Sequence, residues 1–334
     1  MYQAILILLL FALAIIIYSK IRYKKQKEGI EDDTKFKMDT NYSFGLGFPK
    51  MDELAAEVFT ESAKNGSIEA YAALGNMHER GIHFKKDYEE AYKWYQLAAD
   101  SKHPVATFAL ARFNMEGFGI PKDSDKAIVF LKNAAQLDYA EAQMTLGALY
   151  ELGEFGVKVD RKEALNWYIK AAQNGNALAQ MKVGDAYIAG ELISFDEEKG
   201  MEYLTKAAEQ NHIEAIRRLG LYYDRGLKFF EKNIELAFQW YLKGAKEGDI
   251  ECAYSVGYDY LVGNGVEQNY EAAAKWLLNA AECGHELAEY TVGIMYIREI
   301  FFEKNIDEAK NWLKRAADKG NESAIAELNQ LEEV

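Results

Sequence analysis

Residues 134–168 read AAQLDYAEAQMTLGALYELGEFGVKVDRKEALNWY, and their landmarks recur through most of the chain. The opening Ala134-Ala135 has copies at Ala98-Ala99, Ala171-Ala172, Ala207-Ala208, Ala280-Ala281 and Ala316-Ala317, with Ser62-Ala63 and Gly244-Ala245 filling the gaps. Leu146-Gly147 has copies at Leu74-Gly75, Leu110-Ala111, Val183-Gly184, Leu219-Gly220, Val256-Gly257 and Val292-Gly293. The aromatic Trp167 has counterparts at Trp94, Phe130, Tyr203, Trp240, Trp276 and Trp312. Three markers stepping together by 36 or 37 residues mean stacked supersecondary units, and this settles the fold before any single residue is weighed.

Each unit holds two helical patterns. The first, Ala70-x-x-x-Leu74-Gly75-x-x-His78, carries tyrosine at its last position in most later copies (Tyr150, Tyr187, Tyr223, Tyr260, Tyr296). The second reads Ala91-x-x-Trp94-Tyr95-x-x-Ala98-Ala99. Both spacings put their residues on one face of an α-helix. Small residues let two helix axes approach, and a neighbouring aromatic fills the space. Between the patterns lies a turn, clearest in Gly117-Phe118-Gly119 and Gly263-Asn264-Gly265, where glycine suits a left-handed helix end. Asp87, Asp123, Asp160, Asp196, Asn233, Asn269 and Asn305 close the turns as expected N-caps of the second helix. The extra residue of the 37-residue copies falls in this turn, as a solenoid tolerates.

These residues resemble the Sel1-like repeat family, a relative of the tetratricopeptide repeat. Ala134 to Tyr168 and Phe118 to Leu131 match its pattern well, whereas the turns at Gly81, Gly190, Gly226 and Glu299 lack the second glycine. The resemblance covers Met51 to the C-terminus. It implies an all-α fold, a right-handed α/α superhelical solenoid of about seven helix pairs, and a role as adaptor or scaffold. Residues 51–63 align with a lone second helix and residues 322–331 with a lone first helix, so a half-pair cap is expected at each end.

Composition agrees. The 334 residues include only three prolines (Pro49, Pro104, Pro121), none inside a proposed helix. Residues 1–50 hold 8 Lys/Arg and 5 Asp/Glu, which leaves 31 and 48 on the remainder, a formal charge of −17. Such a surface repels nucleic-acid phosphates. It serves either as a solvated outer face or as a field that steers a basic partner.

The N-terminus falls outside the repeat. Ala4 to Ile17 is uninterrupted apolar sequence, and with its flanks a helix there spans ~30 Å, enough for a bilayer core. Lys20, Arg22, Lys24, Lys25 and Lys27 follow at once, so the positive-inside rule places the N-terminus outside and the repeats in the cytoplasm. A cleaved secretory signal is the competing reading, but the basic n-region is missing. The expected organisation is therefore a transmembrane anchor with a basic flank over residues 1–27, a linker over 28–50 that reaches ~25 Å as a coil, and a solenoid over 51–334.

Little in the chain suggests catalysis. His78 and His83 sit at i, i+5 rather than the i, i+4 of a zinc-binding helix. No phosphate loop, nucleophile elbow or dinucleotide fingerprint appears. No cofactor, metal or small-molecule substrate is expected. Cys252 and Cys283 are the only cysteines; a helical hairpin could bring them near each other, and a cytoplasmic setting favours free thiols.

The resemblance to tetratricopeptide-like arrays also implies where a protein or peptide partner binds. First helices line the concave face, at positions six and three before the Gly of Leu-Gly and one, four and five after it. The residues expected to meet a partner are Met144 and Met181, then Arg217, Asp224 and Arg225. Tyr254 and Tyr258, then Tyr290 and Arg298, complete the set. The competing reading packs these tyrosines between adjacent repeats. Function is then read as a membrane-tethered scaffold. The alternative is an inhibitor or immunity-type protein that binds a toxin or enzyme on the periplasmic side.

Overall fold

The computed structural model describes residues 49–227 and 231–332, and among them the chain forms sixteen helices and no strand. Helix α1 (Pro49–Lys64) stands alone. Seven pairs follow: α2 (Ile68–Arg80) with α3 (Tyr88–Asp100), α4 (Pro104–Glu116) with α5 (Ser124–Gln136), and α6 (Ala140–Leu152) with α7 (Arg161–Gln173). Next come α8 (Ala177–Ala189) with α9 (Glu197–Glu209), and α10 (Ile213–Arg225) with α11 (Ile234–Lys246). The last pairs are α12 (Ile250–Val262) with α13 (Tyr270–Glu282) and α14 (Glu286–Ile297) with α15 (Ile306–Ala317), before a single α16 (Glu322–Glu332). The seven pairs and two half-pairs expected from the period are all present. Helices pack mainly on their neighbours in sequence, so the core is strung along the array in successive clusters.

Most helices start where the sequence supplies a side-chain acceptor; α6 is an exception, its N-cap Tyr139 making no such bond. All seven second helices take their N-cap from the expected Asp or Asn, whose side chain accepts a backbone N–H at 2.9–3.1 Å. The first helices use a more varied set. Ser67, Asn176, Asp249 and Asn321 cap four of them. His103, His212 and His285 cap three more through Nδ1, at 3.2, 3.3 and 3.2 Å. At the turns where the second glycine is lost, His83, Leu192 and Phe301 themselves adopt φ of 61°, 63° and 65°. That conformation costs an L-residue about 1 kcal/mol or more.

Inside six of the seven pairs, the Gly of the Leu-Gly or Val-Gly marker lies against the second helix; the other pair has Ala111 there. A Cβ at Gly75 or Gly147 would stand 2.6 Å from the ring of Tyr95 or Tyr168, and one at Gly257 would stand 2.7 Å from Leu277. The second-helix position alternates as Tyr95, Leu131, Tyr168, Leu204, Tyr241 and Leu277, ending on Leu313. The residue four after the Gly follows it: Glu79, Glu151 and Asp224 beside tyrosine, but Met115, Ile188, Leu261 and Ile297 beside leucine. The reason is visible in two of the copies. Tyr95 donates its hydroxyl to Glu79 at 2.7 Å and Tyr168 to Glu151 at 2.5 Å. Arg112 and Lys182 of the next repeat reach the same carboxylates at 2.7 and 2.9 Å.

A second tie joins repeats at the Ala-Ala marker. Its second carbonyl sits at a helix end with no partner inside the helix. Gln143 donates to Ala135 at 3.0 Å, Gln180 to Ala172 at 3.1 Å and Arg315 to Ala281 at 2.8 Å, while Lys243 takes Ala208. The aromatic marker lies under the same two cations, with Lys243 over Trp240 at 5.5 Å and Arg315 over Trp312 at 4.4 Å.

Among the described residues no helix is long and apolar enough to cross a membrane, and the expected anchor at 1–27 lies outside them. Nearly all of the 28–50 linker lies outside them too; α1 begins at Pro49, and proline suits the first turn of a helix. Cys252 and Cys283 are both free: Cys252 is buried against Gly244, whereas Cys283 is exposed at the end of α13.

The close approach is testable. Gly147→Ala should lower stability by about 1–3 kcal/mol in urea unfolding, because the Tyr168 ring has no room to retreat. Without that contact, the same change within a helix would stabilise by about 1 kcal/mol. The histidine caps make stability depend on pH. An Nδ1 that accepts an amide hydrogen must be unprotonated, and burial holds His103 and His212 below the ordinary histidine value. Their contribution is therefore complete above about pH 6.5 and is lost as pH falls through the lower folded-state values. Replacing both with Asn should flatten the loss of unfolding free energy between pH 7 and pH 5, by about 1 kcal/mol per cap.

Candidate interaction surface

The face of each first helix turned away from the core holds the positions expected to meet a partner. Neighbouring faces adjoin, as the ion pairs and the histidine hydrogen bond across them show. Asp185 binds Arg218 at 2.8 Å, Arg217 lies 3.8 Å from Asp249, and Glu251 meets His285 Nε2 at 3.2 Å. The Glu79–Arg112 and Glu151–Lys182 pairs join α2 to α4 and α6 to α8 in the same way.

The nine expected contact residues separate into groups. Met181 is a correction: it is only 8% exposed and joins Met201, Leu204 and Ile216 in the core, because the next repeat closes over it. Met144 and Tyr290 are half-buried and pack on the clusters of the following repeats. Arg217 is held by Glu214 at 2.6 Å, and Asp224 lies 3.5 Å from Lys232. Tyr254 is half-buried, its ring stacked on His285 with centroids 4.5 Å apart. Tyr258, Arg225 and Arg298 are exposed. The two readings of the tyrosines thus divide by residue. Tyr290 and much of Tyr254 serve packing, whereas Tyr258 faces solvent at 45% exposure.

On the helix of Tyr258 and the two first helices after it, the structure adds exposed residues that the periodic argument passed over. Val262 on α12, Leu287 on α14 and Ile325 on α16 are 48%, 44% and 43% exposed. A shallow depression of about 410 Å³ lies between Gly248–Glu251 and Cys283–His285, at the N-terminal ends of α12 and α14. The legible signal for these residues was their position on the outward stripe, which for Val262 and Leu287 is the same as that of Arg298 and Leu178. His78, the sole histidine on the first-helix tyrosine position, stacks on Phe84 at 4.4 Å. Among the described residues no group of three or more His, Cys, Asp or Glu side chains is placed to hold a metal.

The sequence model of the Sel1 repeat matches residues 68–103, 104–139, 140–176, 177–212, 213–249, 250–285 and 287–321. The chain belongs to the Sel1 repeat family. Its matched repeats are the seven helix pairs, and Sel1 repeats are protein-binding solenoids. The fold is similar to that of c5321, a protective antigen of uropathogenic Escherichia coli strains, with a TM-score of 0.74 and 32% identity. That match covers 83% of this chain and 59% of the antigen. A Sel1 repeat protein from Oxalobacter formigenes matches with a TM-score of 0.58 and 28% identity, over 86% of this chain and 83% of its own. Chitin synthase regulator SKT5 of Saccharomyces cerevisiae is 28% identical over 246 residues, 70% of this chain and 35% of that protein. Chitin synthase regulatory factor 3 of Schizosaccharomyces pombe is 29% identical over 98 residues, 29% of this chain and 10% of its own. The chain thus spans about a third or less of these curated relatives.

One buried group borders the surface. Asp259 occupies the position that Met77, Phe113, Leu149 and Met295 hold in other repeats, and it is 6% exposed. Burial pushes its carboxyl up to about 6, against the bond it accepts from Asn264 at 3.0 Å. The nearby charge of Asp224 pushes the same way. A raised carboxyl destabilises the fold above its folded-state value and not below its unfolded one. Asp259→Asn should therefore raise stability by about 1–3 kcal/mol at pH 7, and the gain should vanish below about pH 4 in denaturation followed across pH.

Proposed function

We propose that this Sel1 repeat protein is a membrane-tethered, non-enzymatic adaptor that binds a protein partner on the outward stripe of its sixth and seventh first helices. The observation that carries the proposal is the run of exposed apolar side chains, Tyr258, Val262 and Leu287, on adjacent helices of a protein-binding solenoid. Exposed apolar side chains on the outward stripe of such a solenoid mark candidate interaction sites, and aromatic residues commonly anchor them. Two relatives are named as regulators of chitin synthase, which supports a regulatory adaptor over a catalyst.

The membrane part of the reading rests on the sequence. The apolar run Ala4 to Ile17 and the cluster from Lys20 to Lys27 favour a single anchor with the array on the cytoplasmic side. An anchor would concentrate the binding surface at the bilayer, where its partner would be recruited.

The test places a photo-crosslinking amino acid at Tyr258 or, as a control, at the exposed Lys275 of the second helix α13. In intact cells the Tyr258 position should give a discrete protein adduct in the membrane fraction, and the Lys275 position none. Equal adducts at the two positions, or none at Tyr258, would reject the surface. Tyr258→Ala should change stability by less than about 0.5 kcal/mol, as for an exposed side chain away from the core. Alkaline phosphatase fused to the C-terminus should be inactive; an active fusion would put the array outside.

A further inference from the structure

The charge carried by the three helices of this surface narrows its partner. Helices α12, α14 and α16 contain no Lys or Arg at all, whereas α10 alone carries three arginines. They carry seven carboxylates: Glu251, Asp259, Glu286, Glu289, Glu322, Glu327 and Glu332. Two of these are withdrawn into the fold. Asp259 is buried, and Glu289 is fully enclosed and bound by Arg315 at 2.8 Å and Lys319 at 2.6 Å. The same two cations also hold the carbonyls of Ala281 and Gly284, so they are committed to the core of the array.

What remains facing outward is acidic and apolar. Glu251 has a side chain 61% exposed, and its neighbour is a histidine rather than a Lys or Arg. Glu322 and Glu332 are exposed on α16. The same three helices expose Tyr258, Val262, Leu287 and Ile325. At the ends of the helices the exposed cations are Arg298, just past α14, and Arg225 on the neighbouring α10.

From this pattern, which rests on the proposed reading of the surface, we infer that the partner presents a cationic amphipathic segment. Its apolar side chains would cover Tyr258, Val262 and Leu287, and its Lys or Arg heads would meet Glu251 and Glu322. Lysine and arginine suit both parts at once. Their aliphatic stems lie along apolar surface while the charged head reaches a carboxylate or an aromatic face. Complementary charge also excludes acidic segments, which would pay for like-charge contact without gaining a counter-ion.

The probes are three fluorescein-labelled 14-residue peptides: a Leu/Lys helix with one apolar face, its Leu/Glu counterpart, and a Lys/Ser peptide of equal charge without an apolar face. Binding to the full chain in neutral phosphatidylcholine nanodiscs is read by anisotropy, after subtracting empty nanodiscs. The Leu/Lys peptide should bind most tightly. Tyr258→Ala with Leu287→Ala should weaken it about 10-fold or more. Glu251→Gln with Glu322→Gln should weaken it about 3-fold and reduce its salt dependence. Leu178→Ala, on the outward stripe of the fourth repeat, should have no effect. Equal binding of the Lys/Ser peptide, or indifference to Tyr258→Ala, would overturn the inference. Tight, Tyr258-dependent binding of the Leu/Glu peptide would overturn the cationic partner while leaving the adaptor reading in place. Loss of the Tyr258 crosslink in cells would remove the adaptor reading itself.

Discussion

The array depends on the close approach of two helices at one small residue. At Gly75, Gly147, Gly220, Gly257 and Gly293 the first helix comes so near the second that a methyl group would overlap the Tyr or Leu opposite. This contact fixes the crossing of each pair, and it holds the aromatic and Ala-Ala markers at the depth where the next repeat meets them. The ties at the Ala-Ala carbonyls and the Tyr–carboxylate–cation chains extend this local geometry to the following repeat. A solenoid has no central core, so such nearest-neighbour terms supply its long-range order.

Much of this was legible because packing of one kind, repeated many times, leaves a periodic trace. The seven helix pairs, the half-pairs at both ends and all seven Asp and Asn caps follow from residue spacing alone. What escaped was aperiodic. Three histidines serve as N-caps because a neutral imidazole nitrogen can replace a hydroxyl or carboxylate oxygen, which residue type alone does not reveal. Met181 shares its periodic position with Tyr254, yet it is buried, because the depth of that position depends on how large the following repeat's side chains are. Asp259 stands where other repeats keep a mostly apolar side chain, and spacing gives no warning of a carboxylate there.

The candidate surface was partly legible for the same reason. Tyr258 was placed correctly on the outward stripe, but Arg217 and Asp224 on that stripe are engaged with neighbouring charges. Outward position therefore sorts residues into those that link adjacent repeats and those that remain available. Such links run on into the sixth and seventh repeats, whose first helices also expose Tyr258, Val262 and Leu287 and contain no Lys or Arg.

The alternation of tyrosine and leucine makes the interchangeable module longer than a single repeat. Tyr95, Tyr168 and Tyr241 are 73 residues apart, and each stands beside its own carboxylate. In the first two of these, the countercharge comes from the next repeat. Excising the second repeat would set Glu79 beside the third, where Thr145 and Ala148 occupy the registers of Lys182 and Arg112. Excising the second and third together would bring Lys182 to it instead. Gain or loss of repeats in pairs preserves the match, whereas a single step strands a largely enclosed charge, so this stretch of the array is matched in steps of two.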